Sequence, residues 1–286
     1  MTTLTGKEFV QKVADYIEPL FKASEIQTKA YFRNQPDLDD AIFHFKRRMF
    51  NERMNVVEIS KHLASMPAST DPVQIKLLSK QVLDEAKHYD MVKNVIEYLR
   101  GQKFTDEELD QEYAWQMDEK NLKAKGASLF DEIGANDSEV MASVYQFVAE
   151  GRASRVWSAM AESIADPIVS RTYAKIAKDE GFHSKIGART MAQLTDGNQE
   201  VQDSIMAVLP KMMERMYWIN CQGTEATYES AGMVEDAYGF DVGEEQMAAR
   251  GKTFFKAKGE LVDWKPEVRG QFAEEGKDLV DNFASV

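Results

Sequence analysis

The sequence predicts an all-α fold: a four-helix bundle with a long crossover, preceded by one helix and followed by several more. Apolar residues recur at spacings of three and four along most of the chain, which is the period of a helix with one buried face. Alternation of apolar and polar residues, which would indicate strands, is hard to find. Several of the seven prolines fall between these periodic segments and indicate helix junctions.

The first expected helix covers residues 5–33, with Phe9, Val13, Ile17, Leu20 and Phe21 on one face. Two helix pairs follow, 38–66 with 71–100 and 137–165 with 167–195, so the core bundle covers about 37–196. The first pair turns around Pro67 and Pro72, with Thr70 or Asp71 as the helix N-cap. The second pair turns near Ala165-Asp166-Pro167.

Residues 101–136 are long enough for the crossover between the pairs, and 106–125 have a helical pattern. After the bundle we expect a methionine-rich helix over 201–228, a loop over 229–242 and helices near 243–258 and 265–283. Residues 197–286 are thus a helical extension of one domain that spans 1–286. The methionine-rich helix is either a malleable part of the core or, in part, the wall of a substrate cavity.

Two copies of one motif carry the chemical information: Asp84-Glu85-Ala86-Lys87-His88 and Asp179-Glu180-Gly181-Phe182-His183. Positions i and i+3 of a helix share a face, so the Glu and the His of each copy point the same way. Carboxylate and imidazole are ligands that suit iron or manganese. Two copies on facing helices therefore predict a dinuclear metal site.

Carboxylate-bridged bundles take a further acidic residue from each of the two other helices. In an antiparallel pair that residue must lie as far from the turn as the motif does. Glu52 lies 14 residues before Met66, Glu85 lies 12 after Val73, and Glu58 lies only 8 before the turn. Glu52 also falls within the apolar stripe of its helix, whereas Glu58 shares a polar face. The pattern favours Glu52.

The same comparison on the second pair selects Glu150, which lies 15 residues before Ala165 while Glu180 lies 13 after Pro167. Glu162 is too close to the turn, about 15 Å from the level of Glu180. The predicted metal ligands are therefore Glu52, Glu85, His88, Glu150, Glu180 and His183. The intervals from Glu52 to Glu85 and from Glu150 to Glu180, 33 and 30 residues, indicate an internal duplication.

This ligand pattern resembles the ferritin-like di-iron carboxylate superfamily over about 37–196. Ala149-Glu150-Gly151, Asp166-Pro167 and residues 175–183 are most similar to the catalytic subunits of phenylacetyl-CoA ring-epoxidising monooxygenases. The resemblance implies two iron ions, or iron with manganese, that activate O₂. It also implies that Asp84 orients His183 and that Asp179 orients His88, since a ligating imidazole usually donates its other N–H to a carboxylate.

The resemblance further implies an oxygenase or oxidase that hydroxylates, epoxidises, desaturates or cleaves a small organic or acyl-linked substrate. No flavin, nicotinamide or iron–sulfur motif occurs, so electrons are expected from a separate reductase or ferredoxin, or from the substrate. A radical-generating reductase subunit is disfavoured because Val92 stands where its tyrosine would be. A non-catalytic scaffold or binding subunit of a multicomponent oxygenase stays open, as does a homo-oligomer.

Composition limits the other classes of function. A formal charge of −13 argues against nucleic acid or an anionic membrane surface as partner. The chain start has no signal-peptide pattern and no segment of eighteen apolar residues occurs, so we expect a cytoplasmic protein without a membrane span. The single cysteine, Cys221, excludes an intramolecular disulfide. His44 and His62 are not expected to be ligands. Tyr89, Tyr145 and Trp157 lie close in sequence to the predicted ligands, where a redox role and core packing explain them equally well.

Overall fold

The structure is a computed structural model that describes residues 3–34, 36–118, 126–135, 138–223, 228–249 and 264. Within these ranges the chain is helical and contains no sheet, which confirms the all-α prediction. In chain order the helices are α1 (Gly6–Arg33), α2 (Leu38–Ser65), α3 (Pro72–Arg100), α4 (Asp106–Gln116), α5 (Gly126–Glu132), α6 (Glu139–Ala161), α7 (Pro167–Thr195), α8 (Gln199–Gly223), α9 (Tyr228–Tyr238) and α10 (Glu244–Ala249).

Helices α2, α3, α6 and α7 form the bundle. The closest packing joins α2 to α3 and α6 to α7, and α3 also packs against α7. Helix α1 lies along α6 and α7 and is itself covered by α8 and α9. In each of the two predicted pairs, α2 with α3 and α6 with α7, the two helices therefore pack against each other.

Side-chain caps fix where the bundle helices begin. Asp71 accepts a hydrogen bond from the backbone N–H of Val73 at 2.9 Å and is the N-cap of α3. Asp166 does the same for Ile168 and Val169 at the start of α7. A proline follows each of these aspartates at the first helical position, where its missing N–H costs nothing. Both pairs thus use the same turn chemistry.

Two predicted helix ends need correction. Helix α6 ends at Ala161, four residues before the expected 165. Pro167 has no N–H for the carbonyl of Ser163, and its ring would clash with that carbonyl in a continued helix. The chain leaves the helix before this point and buries Ile164 in the core. Helix α4 ends at Gln116 rather than continuing to 125. The remainder of that expected helix, 119–125, lies outside the described residues.

The predicted loop over 229–242 is wrong, because residues through Tyr238 form α9. Ala231, Val234 and Tyr238 recur at helical spacing, and α9 packs against α1, which is a stronger determinant than the local glycines. Gly239, with φ of 72°, follows the helix end. Of the two helices expected beyond it, α10 lies within 243–258, while 250–258 and 265–283 lie outside the described residues.

Two apolar cores hold the helices together. One joins α1 and α6 to α8 and α9, and the methionines Met212, Met213 and Met216 are buried in it. The other joins α2, α3, α6 and α7 around Phe45, Trp157 and Tyr173. These methionines therefore pack in the core, and Cys221 is buried with them. No helix among the described residues is long and apolar enough to cross a membrane.

The close approach of α6 and α7 depends on Gly187. A Cβ added there would lie 2.5 Å from the backbone nitrogen of Phe147 and 2.8 Å from the carbonyl oxygen of Ser143. We expect Gly187→Ala to lower the free energy of unfolding by about 1–3 kcal/mol, since backbone atoms cannot move aside as a flexible side chain can.

Gly232→Ala on α9 is the matched control for urea unfolding, because nothing lies within 4 Å of the added methyl group. The control should be neutral or stabilising by up to about 1 kcal/mol. Equal urea midpoints of unfolding for Gly187→Ala and Gly232→Ala would contradict the conclusion that the packing of α6 against α7 depends on Gly187.

Candidate metal centre

The six residues predicted as ligands meet inside the bundle. Helix α2 contributes Glu52, α3 contributes Glu85 and His88, α6 contributes Glu150, and α7 contributes Glu180 and His183. All six are buried, and Glu85, His88 and His183 have no solvent-exposed surface. The fold therefore brings together the six residues that were predicted from their motif and from their distance to the turn of each helix pair.

The cluster divides into two overlapping groups of four residues. Ligand atoms of Glu52, Glu85, His88 and Glu180 lie within 4.8 Å of one another, and so do those of Glu85, Glu150, Glu180 and His183. Glu85 and Glu180 belong to both groups, while each group adds one glutamate and one histidine of its own. This is the pattern of two metal positions bridged by two carboxylates.

The two imidazoles are arranged alike. The Nδ1 atoms face the cluster: that of His88 lies 3.5 Å from Glu52 and 3.3 Å from Glu180, and that of His183 lies 3.3 Å from Glu85. The Nε2 atoms face outward. His88 Nε2 lies 3.4 Å from Asp179 Oδ2, and His183 Nε2 lies 3.2 Å from Asp84 Oδ2.

This crossed pairing places each aspartate as the resemblance implies. An aspartate that accepts the outer N–H of a histidine fixes the proton on Nε2, leaving Nδ1 free to bind a metal. Lys80 in turn forms an ion pair with Asp84 and packs its ammonium group 4.9 Å from the centre of the Phe182 ring. The orientation of His183 is thus supported by a second layer of contacts.

Several inward-facing atoms are buried without a hydrogen-bond partner. They are Glu52 Oε2, His88 Nδ1, Glu180 Oε2 and His183 Nδ1. A buried polar atom without a partner is costly, so such atoms usually satisfy another group. All four belong to the cluster and have the chemistry of ligands for iron or manganese, so the residues present fit a dinuclear metal centre.

The electrostatics of the polypeptide alone are unfavourable for four charged carboxylates. Burial raises the pKa of Glu52 and of Glu150 well above the ordinary value of a glutamate, and the nearby charges of Glu85 and Glu180 raise it further. Burial would also raise the pKa of Glu180, but its contacts with the two histidines lower it instead. Burial and the neighbouring carboxylates thus favour the protonated forms of Glu52 and Glu150.

The imidazoles show the complementary effect. Burial alone would lower the pKa of His88 and of His183, but the surrounding carboxylates outweigh it and raise both. Asp84 has a lowered pKa: its burial acts in the opposite direction, but contacts with His183 and Lys80 prevail. The surrounding carboxylates therefore favour the protonated form of both imidazoles.

Three amide side chains near the cluster were missed by the sequence analysis. Asn55 Nδ2 donates to Glu85 Oε2 at 3.1 Å, and Gln81 Nε2 donates to Glu150 Oε1 at 2.8 Å. Gln146 Nε2 donates to Gln81 Oε1 in turn. Asn55 lies three residues after one ligand, and Gln81 and Gln146 each lie four before another, so helical spacing was the available signal.

The rejected candidates lie elsewhere. Glu58 is exposed and pairs with Lys61 at 2.8 Å, and Glu162 is exposed and pairs with Lys29 at 2.7 Å. His44 packs against the rings of Tyr31 and Phe32, away from the cluster, and His62 is not part of it.

The three aromatic residues near the ligands differ in their surroundings. Tyr89 packs against Phe50 and does not reach the cavity described below. Tyr145 and Trp157 line that cavity, and Trp157 also stacks near Tyr173 with 5.2 Å between ring centres. Core packing thus accounts for Tyr89, and the other two lie beside the candidate site.

A cavity of about 760 Å³ opens between α2 and α6 and reaches the cluster at Glu52, Glu150 and Glu180. Its volume is within the range of small-molecule binding sites. The walls combine apolar residues such as Met54, Leu78 and Trp157 with the polar faces of α2 and α6. Small molecules can therefore reach one side of the cluster.

Comparisons with protein-family models, with curated proteins and with solved structures give no match to this chain.

We expect the full-length protein to bind two Fe(II) or Mn(II) ions, and the shared glutamates to affect both positions. Glu180→Ala should lower the metal content to well below one ion per chain, whereas Glu52→Ala should leave about one. Elemental analysis after anaerobic loading and desalting measures both. Glu58→Ala, on the same helix but outside the cluster, should retain two ions; two ions in Glu180→Ala would contradict the shared-ligand assignment.

Metal binding should release protons, because His88, His183, Glu52 and Glu150 all have raised pKa values in the polypeptide alone. The affinity for Mn(II) should therefore increase as the pH rises from 6 to 8, more steeply than one proton per ion would give. Calorimetric titrations in buffers of different ionisation enthalpy count the protons. A heat of binding independent of the buffer would contradict this expectation.

Proposed function

We propose that this chain is a non-haem di-iron oxygenase or oxidase that activates O₂ and acts on a small organic or acyl-linked substrate. We further propose that its bundle is of the ferritin-like type, with α2, α3, α6 and α7 as its four helices. Two iron ions are the proposed cofactor, with an iron–manganese pair as the alternative metal content.

One observation carries the proposal: Glu85 and Glu180 are each within ligand distance of both halves of a buried cluster. The two Nδ1 atoms lie 3.3–3.5 Å from carboxylate oxygens of the cluster but, with Glu52 Oε2 and Glu180 Oε2, form no hydrogen bond. Four buried ligand-type atoms without a hydrogen-bond partner support a bound group between them. Two metal ions held by the six residues would satisfy these atoms.

Two ferrous ions held in this way would supply the electrons that reduce O₂ and the Lewis acidity that stabilises the reduced oxygen. The chain supplies the positioning. Asp84 and Asp179 hold the outer protons of the imidazoles at Nε2, and Asn55 and Gln81 orient the carboxylates of Glu85 and Glu150. These contacts orient four of the six proposed ligands before any substrate is bound.

An oxygenase also needs space for a substrate beside its metal ions, and the cavity next to the cluster offers such space. Glu52, Glu150 and Glu180 line the cavity, whereas the two histidines are fully buried and do not line it. A substrate in the cavity would displace water from the reacting side. Electrons are proposed to come from a separate reductase or ferredoxin, since no flavin, nicotinamide or iron–sulfur motif occurs in the sequence.

The deciding experiment is anaerobic loading with Fe(II), desalting and exposure to O₂, followed by optical spectroscopy and an oxygen electrode. We expect two irons per chain, a change in colour on oxidation, and O₂ uptake that Glu180→Ala abolishes and Glu58→Ala retains. Iron without any reaction with O₂, or no iron at all, would overturn the proposal and indicate a scaffold subunit of a multicomponent oxygenase.

Substitution of the aspartates that orient the histidines should reduce Fe(II) affinity or O₂ uptake less than substitution of the ligands does. It should reduce them more than substitution of other acidic residues on the same helices. Asp84→Ala and Asp179→Ala are each expected to lower Fe(II) affinity or O₂ uptake by about 10- to 100-fold. Asp90→Ala, also on α3 but outside the cluster, should behave as the unmodified protein. Equal effects of the substitutions at 84 and 90 would show that the crossed contacts have no role.

A further inference from the structure

The cavity that reaches the cluster also contains three arginines. Arg47 and Arg48 lie on α2, and Arg152 lies on α6, on the opposite wall. Arg48 precedes Glu52 by four residues and therefore shares its face of α2. Arg152 follows Glu150 by two residues. Arg48 is thus about one helical turn from the candidate ligand Glu52.

None of these arginines forms an ion pair with a carboxylate among the described residues. The guanidinium of Arg48 lies over the ring of Trp157, 5.5 Å from its centre. Arg152 Nη1 donates to Asn220 Oδ1 at 3.2 Å, and its Nε is buried without a hydrogen-bond partner. A guanidinium has five donors in a fixed plane, and the hydrogen bond of Arg152 to Asn220 uses one of them.

Placing these charges in one cavity is unfavourable without an anion. Glu52 and Glu150, which line the same cavity, lie four residues from Arg48 and two residues from Arg152. Two divalent ions would neutralise the four carboxylates of the cluster, so in the loaded protein the arginines would lose these two counter-charges.

We propose that the cavity binds a small carboxylic acid, with its carboxylate held between Arg48 and Arg152 and its apolar part along Trp157 towards the cluster. Guanidinium groups bind carboxylates through paired, charge-assisted hydrogen bonds, and both groups face the same space. The inference rests on the proposed function, because it names the substrate class of that site.

The remaining walls indicate which kind of acid fits. The apolar part of the cavity wall consists of side chains such as Met54, Ile59, Leu78, Ile219 and the alanines of α6, and it suits an aliphatic or aromatic group. At about 760 Å³ the cavity can hold an acid of drug-like size with one polar end. Glu58, Asp131 and Glu139 also line the cavity and would repel the second negative charge of a phosphate ester. We therefore commit to a monocarboxylic acid rather than a phosphate ester.

Binding can be measured without any turnover. The full-length protein is titrated calorimetrically with 4-phenylbutyrate, with 4-phenylbutan-1-ol, which has the same shape but no charge, and with 4-phenylbutyl phosphate. The titrations are made on metal-free protein and on protein loaded anaerobically with Fe(II). We expect the acid to bind at least about tenfold more tightly than the alcohol in the loaded form, as charge-assisted hydrogen bonds predict.

Variants then test whether the arginines cause the tighter binding of the acid. Arg48→Gln and Arg152→Gln should each weaken binding of the acid about tenfold or more and leave binding of the alcohol unchanged. Arg155→Gln, on the same helix as Arg152 but exposed and paired with Glu18, is the matched control and should leave both affinities unchanged. Arg48→Lys, which keeps the charge but not the planar fork, should fall between.

The outcomes separate the two proposals. Equal affinities for acid and alcohol, tighter binding of the phosphate ester, or acid binding that survives both glutamine substitutions would overturn the carboxylate site. The comparison of acid with alcohol uses the unmodified protein. It therefore tests the carboxylate site even where a variant fails to fold. A preference for the acid in protein that takes up no iron would overturn the oxygenase and leave the anion site in place.

Discussion

The burial of four carboxylates and two imidazoles in one small volume is the constraint on which the rest of the structure depends. Like charges at this distance repel strongly where water is excluded, so the cluster must be held by other parts of the fold. Two apolar cores and the close approach of α6 to α7 at Gly187 provide that support. Helices suit the task because their backbone groups are satisfied internally and leave the interior to side chains.

The cluster has two chemically different sides. On the side of α3 and α7, the aspartates fix the outer protons of the histidines and leave the inner nitrogens directed at the centre. On the side of α2 and α6, three of the glutamates face a cavity whose walls include arginines that form no ion pair with a described carboxylate. One side therefore sets the ligand geometry and the other admits small molecules. This division follows from packing α3 against α7 while α2 and α6 leave a space between them.

Helix limits could be predicted from the sequence where several local signals agree. The limits of α2, α3 and α7 lie within a residue of those expected because apolar periodicity, proline and an N-cap aspartate all indicate the same positions. Helix limits could not be predicted where local and tertiary signals compete. A loop was expected over 229–242, which contains Gly232 and Gly239, but an apolar face packed against α1 makes α9 a helix. The amide of Gln81 was missed because its acceptor, Glu150, is 69 residues away.

The sequence by itself determined which side chains share a helix face and how far each lies from its turn. Those are properties of a fixed rise and a fixed period along one chain segment, and they were enough to select Glu52 and Glu150. Only the tertiary structure decided that Glu85 and Glu180 are the shared carboxylates, and that a cavity with Arg48 and Arg152 opens beside them. Distances between helices depend on how the side chains of all of them pack, which no local spacing specifies.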